Sequence, residues 1–198
     1  MTMKDSFFMK DSSESDYGKE AMLDFQLSWL MRIAAQKDYE NEKPKLFAIA
    51  RKTLLRLIDI KDSNDVDIKE VEVWKQWCSI DLVANIVIAR AGKEEKHVVA
   101  FENKAYTQLR SGQLDKCKDN VEKWYSYNDE WKNAERHYCV VTVFDKGDDK
   151  AQPIEQECRN KEFKYYSFYE VIGYGGKDDV VPETESDLFN EFWARYWS

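Results

Sequence analysis

The sequence points to a mixed α/β (α+β) chain with the core order α-β-β-β-α-β, an extra N-terminal helix and a C-terminal helix. Three observations carry this expectation. Two apolar stripes of helical period precede residue 61, three β-rich runs crowd between Ile68 and Ala105, and a further helical stripe is followed by the buried run Tyr138–Phe144. Three strands joined by short turns form an antiparallel meander, whereas a strand reached through a helix lies parallel to its neighbour by a right-handed crossover. The central sheet is therefore expected to be mixed.

Residues 1–15 are polar, with mixed charges, and read as a mobile N-terminal tail, leaving 16–198 as a single domain. The first helix is expected from Asp16 to Lys37, because Glu20, Leu23, Leu27, Leu30 and Ala34 fall on one stripe. Pro44, a favoured first-turn residue, opens a second helix to Ile60 with Phe47, Ala50, Leu54 and Leu57 on one side, broken by Asp62-Ser-Asn-Asp65. Ile68, Val71, Val73, Trp74 and Trp77 suggest the first strand, with both tryptophans as packing residues in preference to base-stacking platforms. The runs Ser79–Ile88 and His97–Ala105 supply the next two, joined by a hairpin through Arg90–Lys96.

Ser111 is the expected cap of a helix to Tyr127 that buries Leu114, Cys117, Val121 and either Trp124 or Tyr125. Glu162–Tyr169 offers one more short strand, and Gly173–Gly176 a turn. Leu188, Phe189, Phe192, Trp193, Tyr196 and Trp197 then form a broad aromatic face on a helix capped near Thr184 or Ser186. Such a face must be covered, by the domain itself or by a second copy in a homodimer.

Composition narrows the function classes. No apolar run approaches the ~20 residues of a membrane span, and the N-terminus lacks the form of a signal peptide, so a soluble, cytoplasmic protein is expected. Cys78, Cys117, Cys139 and Cys158 lack paired spacing, and His97 and His137 are the only histidines, which suggests reduced and mostly buried thiols with no zinc cluster. A net charge of −8 argues against a protein that coats nucleic acid through many basic contacts. Between Lys93 and Lys123, however, seven basic residues face six acids, so this region is near neutral.

The chemistry concentrates in His97-Val-Val-Ala-Phe-Glu-Asn-Lys-Ala105, an apolar strand ending in a carboxylate and an amine two residues apart. Residues i and i+2 share a face, so Glu102 and Lys104 stand side by side and Asn103 points away. The hairpin brings Asp81 to the same sheet end. Two carboxylates on adjacent strands suit a hard divalent cation such as magnesium, with manganese as an alternative, and a lysine beside them can orient water or meet developing negative charge. The implied reaction is phosphodiester hydrolysis. A binding or assembly module, whose acids and lysine only pair with one another, is the alternative reading.

Asp81 followed twenty-one positions later by Glu102-Asn-Lys104 resembles the split D…(D/E)xK signature of the PD-(D/E)XK nuclease superfamily. The order of motifs resembles that of a branch of bacterial proteins patterned as a glutamate-bearing helix with "LxWLL", then "iD", "iENK" and "QLxxY", to which correspond Glu20, Leu27-Ser-Trp-Leu-Met31, Ile80-Asp-Leu82, Phe101-Glu-Asn-Lys104 and Gln113-Leu-Asp-Lys-Cys117. The chain departs from the pattern at Ser79, at Cys117 and in lacking the first-strand proline. The resemblance implies a restriction-endonuclease-like fold and a magnesium-dependent nuclease acting on nucleic acid, with DNA as the expected substrate. Asp81 and Glu102 would be metal ligands, Lys104 would act at the attacking water, and Glu20 and Gln113 would be auxiliary. From the residues alone, Glu20 reads equally as an acid complementing a helix dipole, which the resemblance recasts as an accessory metal ligand, and Gln113 reads as a solvated flank.

Overall fold

The computed structural model describes residue 6 and residues 18–61, 64–176 and 179–195. The chain runs α1 (Gly18–Ile33), α2 (Asp38–Glu42), α3 (Pro44–Leu57), β1 (Val66–Trp77), β2 (Ile80–Arg90), β3 (Lys93–Lys104), α4 (Gln113–Ser126), β4 (Glu135–Thr142), α5 (Gln152–Lys161), β5 (Lys164–Ser167), α6 (Phe168–Val171) and α7 (Asp187–Phe189), which passes into a π-helical turn at Asn190–Ala194. One sheet holds all five strands in the order β1-β2-β3-β4-β5. β1, β2 and β3 form the antiparallel meander, and β4 and β5 add in parallel after α4 and α5.

The sheet is buried on both faces, which is why its central strands read as continuous apolar runs. Leu82, Ala84, Ile86, Val99 and Phe101 pack with α1, α3 and the C-terminal segment, and Val83, Val87, Val98, Ala100 and Val140 pack with α4 and α5. Alternate residues of β2 and β3 thus belong to different cores, and the same alternation sorts their polar residues to opposite faces.

Several expectations are corrected. α1 ends at Ile33, short of Lys37, and the expected onset at Asp16 lies outside the described residues. The cap of α4 is Gly112 in the left-handed conformation (φ 70°), not Ser111. On α4 it is Tyr125 that is buried, its hydroxyl donating to Asn85 Oδ1 at 2.6 Å, while Trp124 is exposed. Trp74 is 40% exposed and so is not a core residue, whereas Trp77 packs edge-on against Trp124. Cys78 is exposed and the other three cysteines are buried and unpaired. Helix α5 was not anticipated, because Ile154 and Cys158 are its only buried apolar residues and its remaining positions are mainly polar.

The C-terminal helix is short. Ser186 caps it by accepting from the Phe189 backbone N–H at 3.3 Å, and Arg195 is already extended. Phe189, Phe192 and Trp193 are fully buried in this chain's own core, with Trp193 stacked on Phe168 at 4.2 Å, whereas Leu188 is exposed. Tyr196 and Trp197 lie outside the described residues, as does the expected 1–15 tail apart from Ser6, which is buried and donates to Glu191 Oε2 at 2.9 Å. No helix among the described residues is long and apolar enough to cross a membrane.

Candidate active site

The antiparallel register pairs Leu82 with Phe101, so Asp81 and Glu102 come next along their two strands, at the end of the sheet and on its α4 face. Two-residue periodicity adds Lys104 to that face. Its Nζ donates to Glu102 Oε1 at 2.6 Å, and Gln113 Nε2, from the first turn of α4, donates to the same oxygen. Gln113 is itself aimed, because its Oε1 accepts from the Arg110 backbone N–H at 3.0 Å. The structure therefore brings together Asp81, Glu102, Lys104 and Gln113.

Asp81 is held on both oxygens. Oδ2 accepts the Asn103 backbone N–H at 2.8 Å and Oδ1 accepts Gln76 Nε2 at 3.1 Å. Gln76 reaches it from an irregular strand end: its φ is 53°, and Cys78 (50°) and Ser79 (65°) continue in positive φ through the tight turn into β2. Left-handed backbone at non-glycine residues costs energy, and it occurs here immediately beside the acids.

Glu20 sits differently from the other four. It comes from α1, and its Oε1 accepts the Ala105 backbone N–H at 3.2 Å and Thr107 Oγ1 at 2.5 Å. Among the described residues no hydrogen bond or ion pair joins it to Asp81, Glu102 or Lys104. Its charge is felt instead by Asp24, one turn further along α1.

Asp24, Asn103 and Gln76 are the residues that sequence reasoning missed. Asp24 is buried, and its Oδ1 accepts Asn103 Nδ2 at 2.7 Å on the α1 face of the sheet. Burial pushes its carboxyl up to about 7; the Asn103 hydrogen bond opposes the rise and the charge of Asp81 adds to it. A carboxylate inside the stripe Leu23–Leu27, four residues after Glu20, was the available signal. Glu102 is likewise pushed up to about 7, first by burial and then by the charge of Asp81, with Lys104 pulling the other way. The register that pairs Leu82 with Phe101 keeps the two carboxyls near enough for the charge of Asp81 to act on Glu102.

Such a set has a definite chemical character. Burial and the neighbouring charge of Asp81 favour the protonated form of Glu102 until more positive charge arrives, and oxygen-only donors fit a hard divalent cation. A family model described as the PD-(D/E)XK nuclease superfamily matches residues 6–190. The chain belongs to that superfamily. No curated protein and no solved structure matches it. As in a PD-(D/E)XK nuclease, the five-stranded mixed sheet flanked by helices is a restriction-endonuclease-like fold. Membership brings a nuclease-type phosphodiesterase as the coarse function, nucleic acid as the substrate class and a divalent metal as the superfamily's general cofactor.

Proposed function

We propose that the chain is a magnesium-dependent nuclease hydrolysing phosphodiester bonds, with DNA the favoured substrate and manganese able to replace magnesium. The observation that supports this reading best is the pair of facing carboxyls, Asp81 and Glu102, with Lys104 Nζ 2.6 Å from Glu102. In this reading Asp81 and Glu102 hold the cation, which when bound lowers the pKa of water and neutralises phosphate charge. Lys104 offers its ammonium to the attacking water or to the charge growing on phosphorus. Gln113 orients Glu102, and Glu20 keeps the end of β3 in place through Ala105 and Thr107 while remaining an auxiliary candidate ligand. The net charge of −8 is compatible with substrate binding that depends on the cation. A cytoplasmic location belongs to the same reading.

The test uses the metal-stripped full chain and a panel of single- and double-stranded DNA and RNA. Magnesium or manganese should switch on cleavage and raise the melting temperature, and Asp81→Asn should lose both responses. If the parent cleaves nothing in the panel, or Asp81→Asn responds to the cation as the parent does, the reading fails in favour of a binding or assembly module of the same fold.

A further inference from the structure

The other end of the sheet carries a second cluster of metal-ligating side chains that the nuclease reading does not use. In the parallel β3–β4 pair His97 lies opposite Glu135 and Val99 opposite His137, so His97, Glu135 and His137 project from one face. They converge: His97 Nδ1 is 3.1 Å from His137 Nε2, and Glu135 oxygens lie 3.7 Å from the first and 3.9 Å from the second. One ligand atom from each residue falls within 4.8 Å of the others. Both rings are buried, whereas the Glu135 side chain is 66% exposed and able to adjust at the rim.

We propose that His97, His137 and Glu135 form a binding site for a zinc-class transition-metal dication, separate from the acid cluster. Two nitrogens each about 2.0–2.1 Å from a tetrahedral zinc are roughly 3.3 Å apart, close to the separation of these two. A simple hydrogen bond between two neutral rings explains that distance equally well, but it does not explain what lies behind them. The far nitrogen of each ring faces a carboxylate, Asp59 Oδ2 at 3.5 Å from His137 Nδ1 and Glu95 Oε2 at 3.8 Å from His97 Nε2, which is buried and has no hydrogen-bond partner among the described residues. Carboxylates behind metal-bound imidazoles are the usual outer partners that fix the ring and raise its basicity. These two are positioned in turn, Asp59 by Lys164 and Glu95 by Arg90.

Two imidazoles and one carboxylate suit zinc, cobalt or nickel, whereas the all-oxygen set at Asp81 and Glu102 suits magnesium, so the two ends select different ions. Five residues of extended β3, roughly 16 Å, separate His97 from Glu102. A cation here joins β3 to β4 directly, and through Asp59 it tightens the exit of α3 against the sheet. Three protein ligands leave a fourth position for water.

Cobalt is the probe of choice, because its visible absorption reports nitrogen ligands and tetrahedral geometry, with zinc as competitor. The protein is the metal-stripped full chain bearing Glu102→Gln, so that failure of the nuclease reading does not affect the outcome. About one equivalent of cobalt should bind with a tetrahedral spectrum, yield to zinc and raise the melting temperature. Adding Glu135→Gln, an exposed change that leaves the fold intact, should weaken binding about tenfold or more, and His97→Asn should abolish the spectrum. No cobalt uptake by the Glu102→Gln chain, an octahedral all-oxygen spectrum, or uptake unaltered by both added substitutions would overturn the proposal.

Discussion

Asn103 donates its side-chain Nδ2 to Asp24 Oδ1 at 2.7 Å, on the face of β3 opposite to Glu102 and Lys104. Its backbone N–H simultaneously donates to Asp81 at 2.8 Å, so one residue ties the buried carboxyl of α1 to the carboxyl of β2. Asn103→Ala removes the first bond and spares the second. The buried Asp24 carboxylate then loses its Asn103 donor, which should cost about 1–3 kcal/mol in chemical denaturation at pH 8. Cation-induced stabilisation should persist. An unchanged denaturation midpoint at pH 8 would show that Asp24 does not depend on this contact.

Stability of the metal-free protein should fall as pH rises. Asp24 and Glu102 carry folded-state pKa values of about 7, above the ordinary 3.8 and 4.5, so between those limits the native state holds protons that the unfolded chain has released. Their favourable contribution is intact below about pH 4 and is lost progressively as pH climbs through about 7. Together the loss should amount to a few kcal/mol, since a tenfold difference in proton affinity is worth about 1.4 kcal/mol. Magnesium should flatten the slope by replacing protons with a cation. Denaturant midpoints at pH 5, 6, 7 and 8 measure this, and a metal-free curve that rises over this range would contradict it.

Lys104→Ala separates holding a cation from using it. An ammonium has no lone pair to offer a metal and repels it, so removing it should leave magnesium affinity unchanged or tighter by calorimetry. Turnover should drop on the order of 100- to 1000-fold, the usual cost of losing one electrostatic contact to a transition state. A variant as active as its parent would remove Lys104 from the chemistry.

Trp193 tests whether the C-terminal segment completes the core. It is fully buried against Phe168, Phe189 and Phe192, and its indole Nε1 has no hydrogen-bond partner among the described residues. Trp193→Ala should cost about 3–5 kcal/mol through the cavity it leaves. Trp193→Phe should cost much less, because it keeps most of the ring contact and removes the unpaired N–H. Equal losses for the two substitutions would locate the indole's contribution in its nitrogen instead of its packing.

Elements whose signal is local and periodic were legible along the chain. The apolar stripe of α3, the uninterrupted runs of β2 and β3 and the spacing of Glu102 and Lys104 are short-range patterns, and a strand's two-residue repeat sends Glu102 and Lys104 to one face wherever the strand ends up. The same repeat sent Asn103 to the other face, but what awaits it there depends on how α1 lies across the sheet, and only packing made Asp24 its partner. The register of a parallel pair is likewise invisible along the chain. His97 and His137 stand forty residues apart in sequence, and only the β3–β4 pairing brings their nitrogens to 3.1 Å. The positive φ of Gln76, the mainly polar helix α5 and the early end of the aromatic C-terminal helix leave no periodic apolar pattern along the chain by which they could be read.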